Sequence, residues 1–228
     1  MISIIVNLKD KVSNMNFEFA KENMIKQQIR TMGIAYNNIL KAMVDLPRER
    51  FVPAGMESLA YADMDIPLAH GQKMLAPQTL TRLLDALNIS KTDSVLEIGT
   101  GSGYLTAILA KISQMVETAD IHEDTLLKAK NTLKTLGIYN VKYQHENWLN
   151  HSNGKQYDVI VIPHTLKTIP DSVFEMLKPS GKLVAILDNA YYASAMLFTH
   201  NGKNWQSKNL FDLYEPVAPD YQDNSFAF

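Results

Sequence analysis

From Phe17 to Met32 the apolar residues Phe17, Ala20, Met24, Ile25 and Ile29 recur at helical spacing, and Gly33 supplies a stop. A second short helix is expected over Asn38–Val44, ending before Pro47, because the residue ahead of a proline is pushed out of the helical region. Residues 48–73 lose periodicity and carry Pro53, Gly55, Pro67 and Gly71, a stretch long enough to form a lid over a site. Periodicity returns at Pro77, which suits the first position of a helix in which Leu80, Leu83, Leu84 and Leu87 share one face. Beyond it, short apolar runs alternate with amphipathic ones. Strands are expected at Ser94–Ile98, Val116–Ile121, Val141–Gln144, Val159–Ile162 and Lys182–Leu187, with helices at Tyr104–Ile112, Glu123–Leu136 and Pro170–Leu177.

That alternation predicts an α/β fold with a doubly wound, mostly parallel sheet, since parallel strands need crossover helices and are covered on both faces. Val159–Ile162, apolar throughout, has the composition such a sheet demands. The tail differs. Met196–His200 and Trp205–Leu213 flank Asn201-Gly202, a pair suited to the positive φ angles of a tight hairpin turn. The expected architecture is therefore the sheet plus an N-terminal helical cap and a C-terminal antiparallel hairpin. The division falls at residues 1–76 for arm, cap and substrate loop, and 77–228 for the ligand-binding core. Residues 1–14 carry little pattern, and Met15 offers a second initiation point, so a loosely held arm is expected there.

Composition narrows the chemistry. With 46% hydrophobic and 20% charged residues the 228-residue chain reads as an ordinary globular protein with one sizeable core. A net charge of −2 gives no field to gather nucleic acid or an anionic membrane surface, so neither is an expected partner. The absence of cysteine excludes disulfides, thiolate catalysis and thiolate-built zinc sites within these residues. His145 and His151 do not have a recognised metal spacing, and no metal is expected. Met1–Val6 is too short for a signal-peptide core, and no apolar run approaches the roughly 20 residues of a membrane span, so a cytoplasmic location is expected.

The most informative string is Glu97-Ile98-Gly99-Thr100-Gly101-Ser102-Gly103, a tight turn from strand to helix at the carboxyl edge of the sheet, where open α/β sheets bind ligands. Glycines allow close approach of a ligand, and a helix N-terminus offers N–H groups to an anion. A phosphate-binding loop would need Gly-Lys-Ser/Thr, which this turn lacks. A dinucleotide fingerprint would need Gly or Ala where Tyr104 stands. Asp120 lies 21 residues past Gly99 at a strand end, where a carboxylate can accept ribose hydroxyls. Glu146-Asn147-Trp148 follows the third strand.

Glu-x-Gly-x-Gly-x-Gly resembles the first motif of class I methyltransferases, in which the loop wraps the methionine part of S-adenosylmethionine. A narrower resemblance is carried by Met24-Ile25-x-x-Gln28-Ile29-Arg30-x-x-Gly33-Ile34, by Pro47-Arg48-Glu49-x-Phe51-Val52-Pro53 and by Ala60-Tyr61 with Pro67. His70-Gly71-Gln72, the glycine string through Tyr104, and Leu177-Lys178-Pro179-x-Gly181 extend it. These resemble the protein-L-isoaspartate O-methyltransferase family, from about residue 20 to at least residue 187.

The resemblance implies S-adenosylmethionine as cofactor, held by Ala76, Pro77, Gln78, Thr79, Glu97, Gly99, Thr100, Gly101, Ser102, Gly103, Asp120, Ile121, Glu146 and Asn147. It implies a peptide or protein acceptor, isoaspartyl in the family, contacted by Tyr61, Lys73, Met74, Leu75 and His164. No residue is assigned to catalysis itself. A carboxylate acceptor, with a pKa of about 4 in model peptides, is already ionised at neutral pH and needs no general base. The chain departs from the family pattern at Lys73-Met74-Leu75, where Leu75 takes the place of the family's active-site serine, and at His145-Glu146-Asn147 and Pro163-His164. Those departures imply a kept cofactor site beside a remodelled acceptor site.

Overall fold

The structure is a computed structural model that describes residues 16–34, 38–148, 154–189, 191–200 and 204–213. The expected arm over residues 1–14, His151 and the Asn201-Gly202 turn lie outside the described residues.

Helix α1 (Phe17–Asn23) starts where the Asn16 side chain accepts the Phe19 amide at 3.0 Å, satisfying one of the first turn's unpaired donors. It runs without interruption into a π turn (Met24–Ile29) and a 3-10 turn (Arg30–Met32). The single helix expected from periodicity is thus one body with altered winding. Met24, Ile25 and Ile29 of this body are buried. Helix α2 (Asn38–Asp45) packs Ile39, Leu40, Ala42 and Met43 inward. The stretch expected as loop contains short 3-10 turns and a small antiparallel ribbon, β1 (Ile66–Pro67) with β2 (Lys73–Met74). Two-residue strands carry no readable periodicity, so no pattern could announce them.

Helix α3 (Pro77–Leu87) leads into β3 (Ser94–Ile98), α4 (Tyr104–Ile112), β4 (Met115–Asp120), α5 (Glu123–Thr135) and β5 (Val141–His145). After these come β6 (Tyr157–Leu166), α6 (Asp171–Glu175), β7 (Leu177–Asp188), β8 (Ala193–His200) and β9 (Trp205–Leu213). The sheet order is β5-β4-β3-β6-β7-β8-β9. Strands β3 to β7 pair in parallel, while β8 runs antiparallel to both β7 and β9. The chain reverses its direction of travel between β3 and β6, which makes a crevice at their carboxyl ends.

Alternation along the strands divides the core. Val95, Val116, Val159, Val161 and Val184 join Leu83 and Leu84 of α3, Ile108 of α4 and the buried residues of α1 and α2 in one cluster. Leu96, Ile98, Ile160, Ile162 and Leu183 face the other way, against Val173 of α6 and Trp148. The N-terminal cap therefore shares a continuous core with the sheet.

Strand β6 is longer than the apolar run Val159–Ile162, and it is irregular. Ile162 pairs with Ala185 but Thr165 pairs with Ile186, so Pro163 and His164 are extra residues on their strand. Proline has no N–H to give the ladder, and a bulge accommodates it. The bulge sits at the carboxyl end of β6, next to the turn after β3. Among the described residues no helix is long and apolar enough to cross a membrane.

Candidate active site

The turn between β3 and α4 is fixed by its own hydrogen bonds. The Gly99 amide donates to the Ala119 carbonyl at 2.8 Å and the Gly101 amide to Asp120 Oδ2 at 3.2 Å. The Gly103 amide reaches the Thr100 carbonyl at 2.9 Å, and the Tyr104 amide reaches Ser102 Oγ at 3.3 Å. These four donors are spent on shaping the turn, which corrects the expectation that they stand free for a ligand. Gly99 has φ +103°, and a Cβ there would lie 2.7 Å from His164 Nδ1. The bulge has carried the His164 ring directly over this glycine. Gly103, with φ +81°, meets α5 so closely that a Cβ would stand 2.8 Å from that of Ala129.

Glu97 forms the floor. It is fully buried, and its Oε2 accepts hydroxyls from Thr106 at 2.5 Å and Thr118 at 2.7 Å. Its Oε1 is buried without a hydrogen-bond partner, and the residue lines a cleft together with Gly99, Ser102, Tyr104, Leu75 and Pro163. Burial, only partly offset by the two threonine hydroxyls, pushes the carboxyl up to about 8. A carboxyl with one oxygen unpaired at this cleft suits a ligand that brings a cationic donor, whose charge would favour the ionised form. Thr100, expected to touch the ligand, instead points inward and shares a 2.7 Å hydrogen bond with Thr118.

Asp120 ends β4 at the rim of the same crevice and is 4% exposed. Besides the Gly101 amide it accepts the His122 amide at 3.0 Å and the side-chain amide of Gln72 at 3.0 Å. Gln72 follows a 3-10 turn, Ala69–Gly71, in which His70 adopts φ 57°, an uncommon angle for a residue with a Cβ. His70 stacks on His122 with ring centroids 3.9 Å apart and bonds Asp124 at 3.0 Å. A Cβ on Gly101 would meet Leu68 at 3.4 Å. The segment Leu68–Gln72 is thus a cover over this end of the crevice, pinned to β4 and α5. Beside it, His145 donates from Nε2 to the Ile121 carbonyl at 3.0 Å, joining the ends of β4 and β5. Glu146 is exposed, Asn147 half-buried and Trp148 buried just past β5.

The other wall of the cleft comes from the loop between β2 and α3. Lys73, Met74 and Leu75 line the cleft, with Leu80, Leu105 and Pro163 completing an apolar wall. Lys73 forms an ion pair with Asp65 at 3.1 Å, and the other oxygen of Asp65 accepts the Ala76 amide at 2.7 Å. Other expected contacts lie elsewhere. Tyr61 is buried in the cap, where its hydroxyl donates to Glu49 at 2.5 Å and its ring lies 6.5 Å from that of Phe17. Pro77 is buried in the first turn of α3, Ala76 and Thr79 do not line the cleft, and Gln78 lines a separate groove with Arg82 and Phe211. Leu80, one turn further along, is the α3 residue that reaches the cleft. Gln72 as the partner of Asp120, Thr106 and Thr118 as partners of Glu97, and Arg48 behind Leu75 were not legible as such in the sequence. Only the Pro-Arg-Glu and Gly-Gln strings signalled two of them.

The family model for protein-L-isoaspartate(D-aspartate) O-methyltransferase (PCMT) matches residues 19–217. The chain belongs to this family. Among its relatives, a protein-L-isoaspartate O-methyltransferase of Aliivibrio fischeri is 34% identical over 166 residues, 72% of this chain and 80% of that protein. Protein-L-isoaspartate O-methyltransferase 2 of Shewanella sediminis is 31% identical over 204 residues, 87% of this chain and 83% of the relative. Among solved structures, a protein-L-isoaspartate O-methyltransferase described from Plasmodium falciparum, crystallised with S-adenosyl-L-homocysteine, superposes with a TM-score of 0.70 at 22% identity. That similarity covers 87% of this methyltransferase and 96% of the Plasmodium chain, and it establishes the shared fold.

Proposed function

We propose that this methyltransferase moves the methyl group of S-adenosylmethionine to the carboxylate of an isoaspartyl residue in a protein or peptide. The observation that carries this reading is Glu97, which lines the cleft beside the glycine turn and has a buried carboxyl oxygen, Oε1, with no partner. It fits the ammonium group at the amino-acid end of the cofactor. Asp120 fits the ribose hydroxyls, and Glu146 and Asn147, just past β5, would read an adenine edge. Gln72, already bonded to Asp120, can complete the sugar's hydrogen bonds.

When bound, the cofactor supplies an electrophilic methyl carbon on a sulfonium. The protein's share of the work is positional. The acceptor arrives ionised, so no side chain has to remove a proton. The wall of Met74, Leu75, Leu80, Leu105 and Pro163 excludes water, which makes the carboxylate a better nucleophile once it is held in line. Proximity of this kind supplies up to roughly 7–11 kcal/mol. Lys73 is committed to Asp65, so its charge is already answered.

Leu75 favours a second reading, in which the same cofactor serves a different and less polar acceptor. Both are tested by labelled-methyl transfer to an isoaspartyl peptide beside its aspartyl counterpart, with Leu75→Ser run in parallel. The expected result is a base-labile ester on the isoaspartyl peptide alone. Regaining one hydroxyl partner for the carboxylate in Leu75→Ser is worth about 1–3 kcal/mol, so its activity should rise about tenfold or more. Label in the mutant alone would select the second reading. No label above blank with either protein would remove isoaspartyl methylation.

A further inference from the structure

Arg48 is fully buried, an expensive place for a guanidinium, and burial pushes its pKa below the ordinary value. Its close partners are not carboxylates. Nε donates to the Ala60 carbonyl at 2.7 Å, Nη2 donates to the Leu75 carbonyl at 2.7 Å, and Nη1 has no hydrogen-bond partner. The guanidinium lies 4.7 Å from the centroid of the Tyr104 ring, a stacking arrangement with an electrostatic attraction of its own. A planar fork can serve two carbonyls and one ring face together, and a lysine ammonium cannot.

The placement of those partners matters more than their number. Leu75 is the acceptor-loop residue in the cleft wall, and Tyr104 is the first residue of α4, directly after the cofactor turn. One side chain from the cap therefore ties the acceptor loop to the helix that carries the cofactor turn. Holding the Leu75 carbonyl restrains the loop backbone where Leu75 and Gly99 line the same cleft.

We propose that Arg48 is a positioning residue for methyl transfer, holding the acceptor loop at a set distance from the cofactor turn so that the two move as one body. The proposal rests on the preceding reading for the identity of the two ligands, but the coupling of loop to helix stands apart from it.

The test combines amide hydrogen exchange with steady-state kinetics on Arg48→Lys. The Ala76 amide, bonded to Asp65 in the same loop, reports on loop opening, while Val95–Ile98 amides in β3 report on the core. Losing a charge-assisted bond to Leu75 should speed exchange at Ala76 by about tenfold or more with β3 nearly unchanged. The kcat on an isoaspartyl peptide should fall by about tenfold while the dissociation constant of S-adenosylhomocysteine stays within about threefold. Tyr104→Leu, which removes the ring and leaves Arg48 intact, should also speed Ala76 exchange, and Tyr104→Phe, which keeps the ring and loses only the hydroxyl, should do so less. This pair decides the matter if Arg48→Lys does not fold. Unchanged Ala76 exchange, or equal acceleration at Ala76 and β3, would overturn the proposal. Absence of S-adenosylhomocysteine binding by the unaltered protein would instead strike the functional reading and leave the exchange result standing.

Discussion

Glu97 keeps its proton up to about pH 8 in the folded protein, whereas an unperturbed glutamate ionises near 4.5. Between those values the native state holds a proton that the unfolded chain has released. The stability from this carboxyl is complete below about 4.5 and is lost as pH rises through about 8. Glu97→Gln imitates the protonated form. Its unfolding free energy, followed by urea titration, is expected to lack that fall between pH 6 and 8, leaving the mutant the more stable protein at pH 8. The same change removes the carboxyl that an ammonium group would ionise on binding, so cofactor affinity should drop by about tenfold or more. A mutant whose stability keeps the parent's fall with pH would contradict the assigned proton. In the sequence Glu97 was legible as a motif residue, but its environment was not. Thr106 and Thr118 are 9 and 21 positions away, and only the packing of α4 and the pairing of β4 bring them to one oxygen. Tyr61 shows the converse, since a tyrosine in a loop reads like a site residue until Glu49 and Phe17 are found around it.

At the scale of elements, the cover Leu68–Gln72 and the glycine turn face each other across the crevice. His70 pins the cover through Asp124 and His122, both on the far side. Removing that pin in His70→Ala should raise the release rate of S-adenosylhomocysteine, measured by stopped-flow displacement, by about threefold to tenfold for the loss of one exposed pair and one ring stack. The melting temperature should barely move, because the pin is at the surface. An unchanged release rate would mean that the cover does not gate the nucleoside end. Elements with long periodic runs were readable. Helix Tyr104–Ile112 and strands Ser94–Ile98 and Trp205–Leu213 have the bounds their patterns gave. The ribbon β1–β2 and the Pro163-His164 bulge were not, because a two-residue strand has no period and a bulge is defined by its partner strand. Those two features place Lys73, Met74 and His164, so the proposed acceptor side is where the sequence was least legible.

For the molecule as a whole, parallel strands whose order reverses between β3 and β6 leave a crevice at their carboxyl ends, and Glu97, Gly99, Ser102 and Tyr104 of the glycine string line it. This much followed from alternating strands and helices. The cap was foreseen as an appendage, but its residues Met24, Ile29 and Met43 share the core with Val95 and Val184, which is why a cap arginine can act on the cleft. Cofactor binding is what the geometry at every scale requires. It is tested most directly by titration calorimetry of the full chain with S-adenosylhomocysteine at pH 8. The expected result is one site per chain with a dissociation constant on the order of 10 μM or tighter, about −7 kcal/mol, weakened in Glu97→Gln. No heat at millimolar ligand, or equal binding by Glu97→Gln, would contradict it.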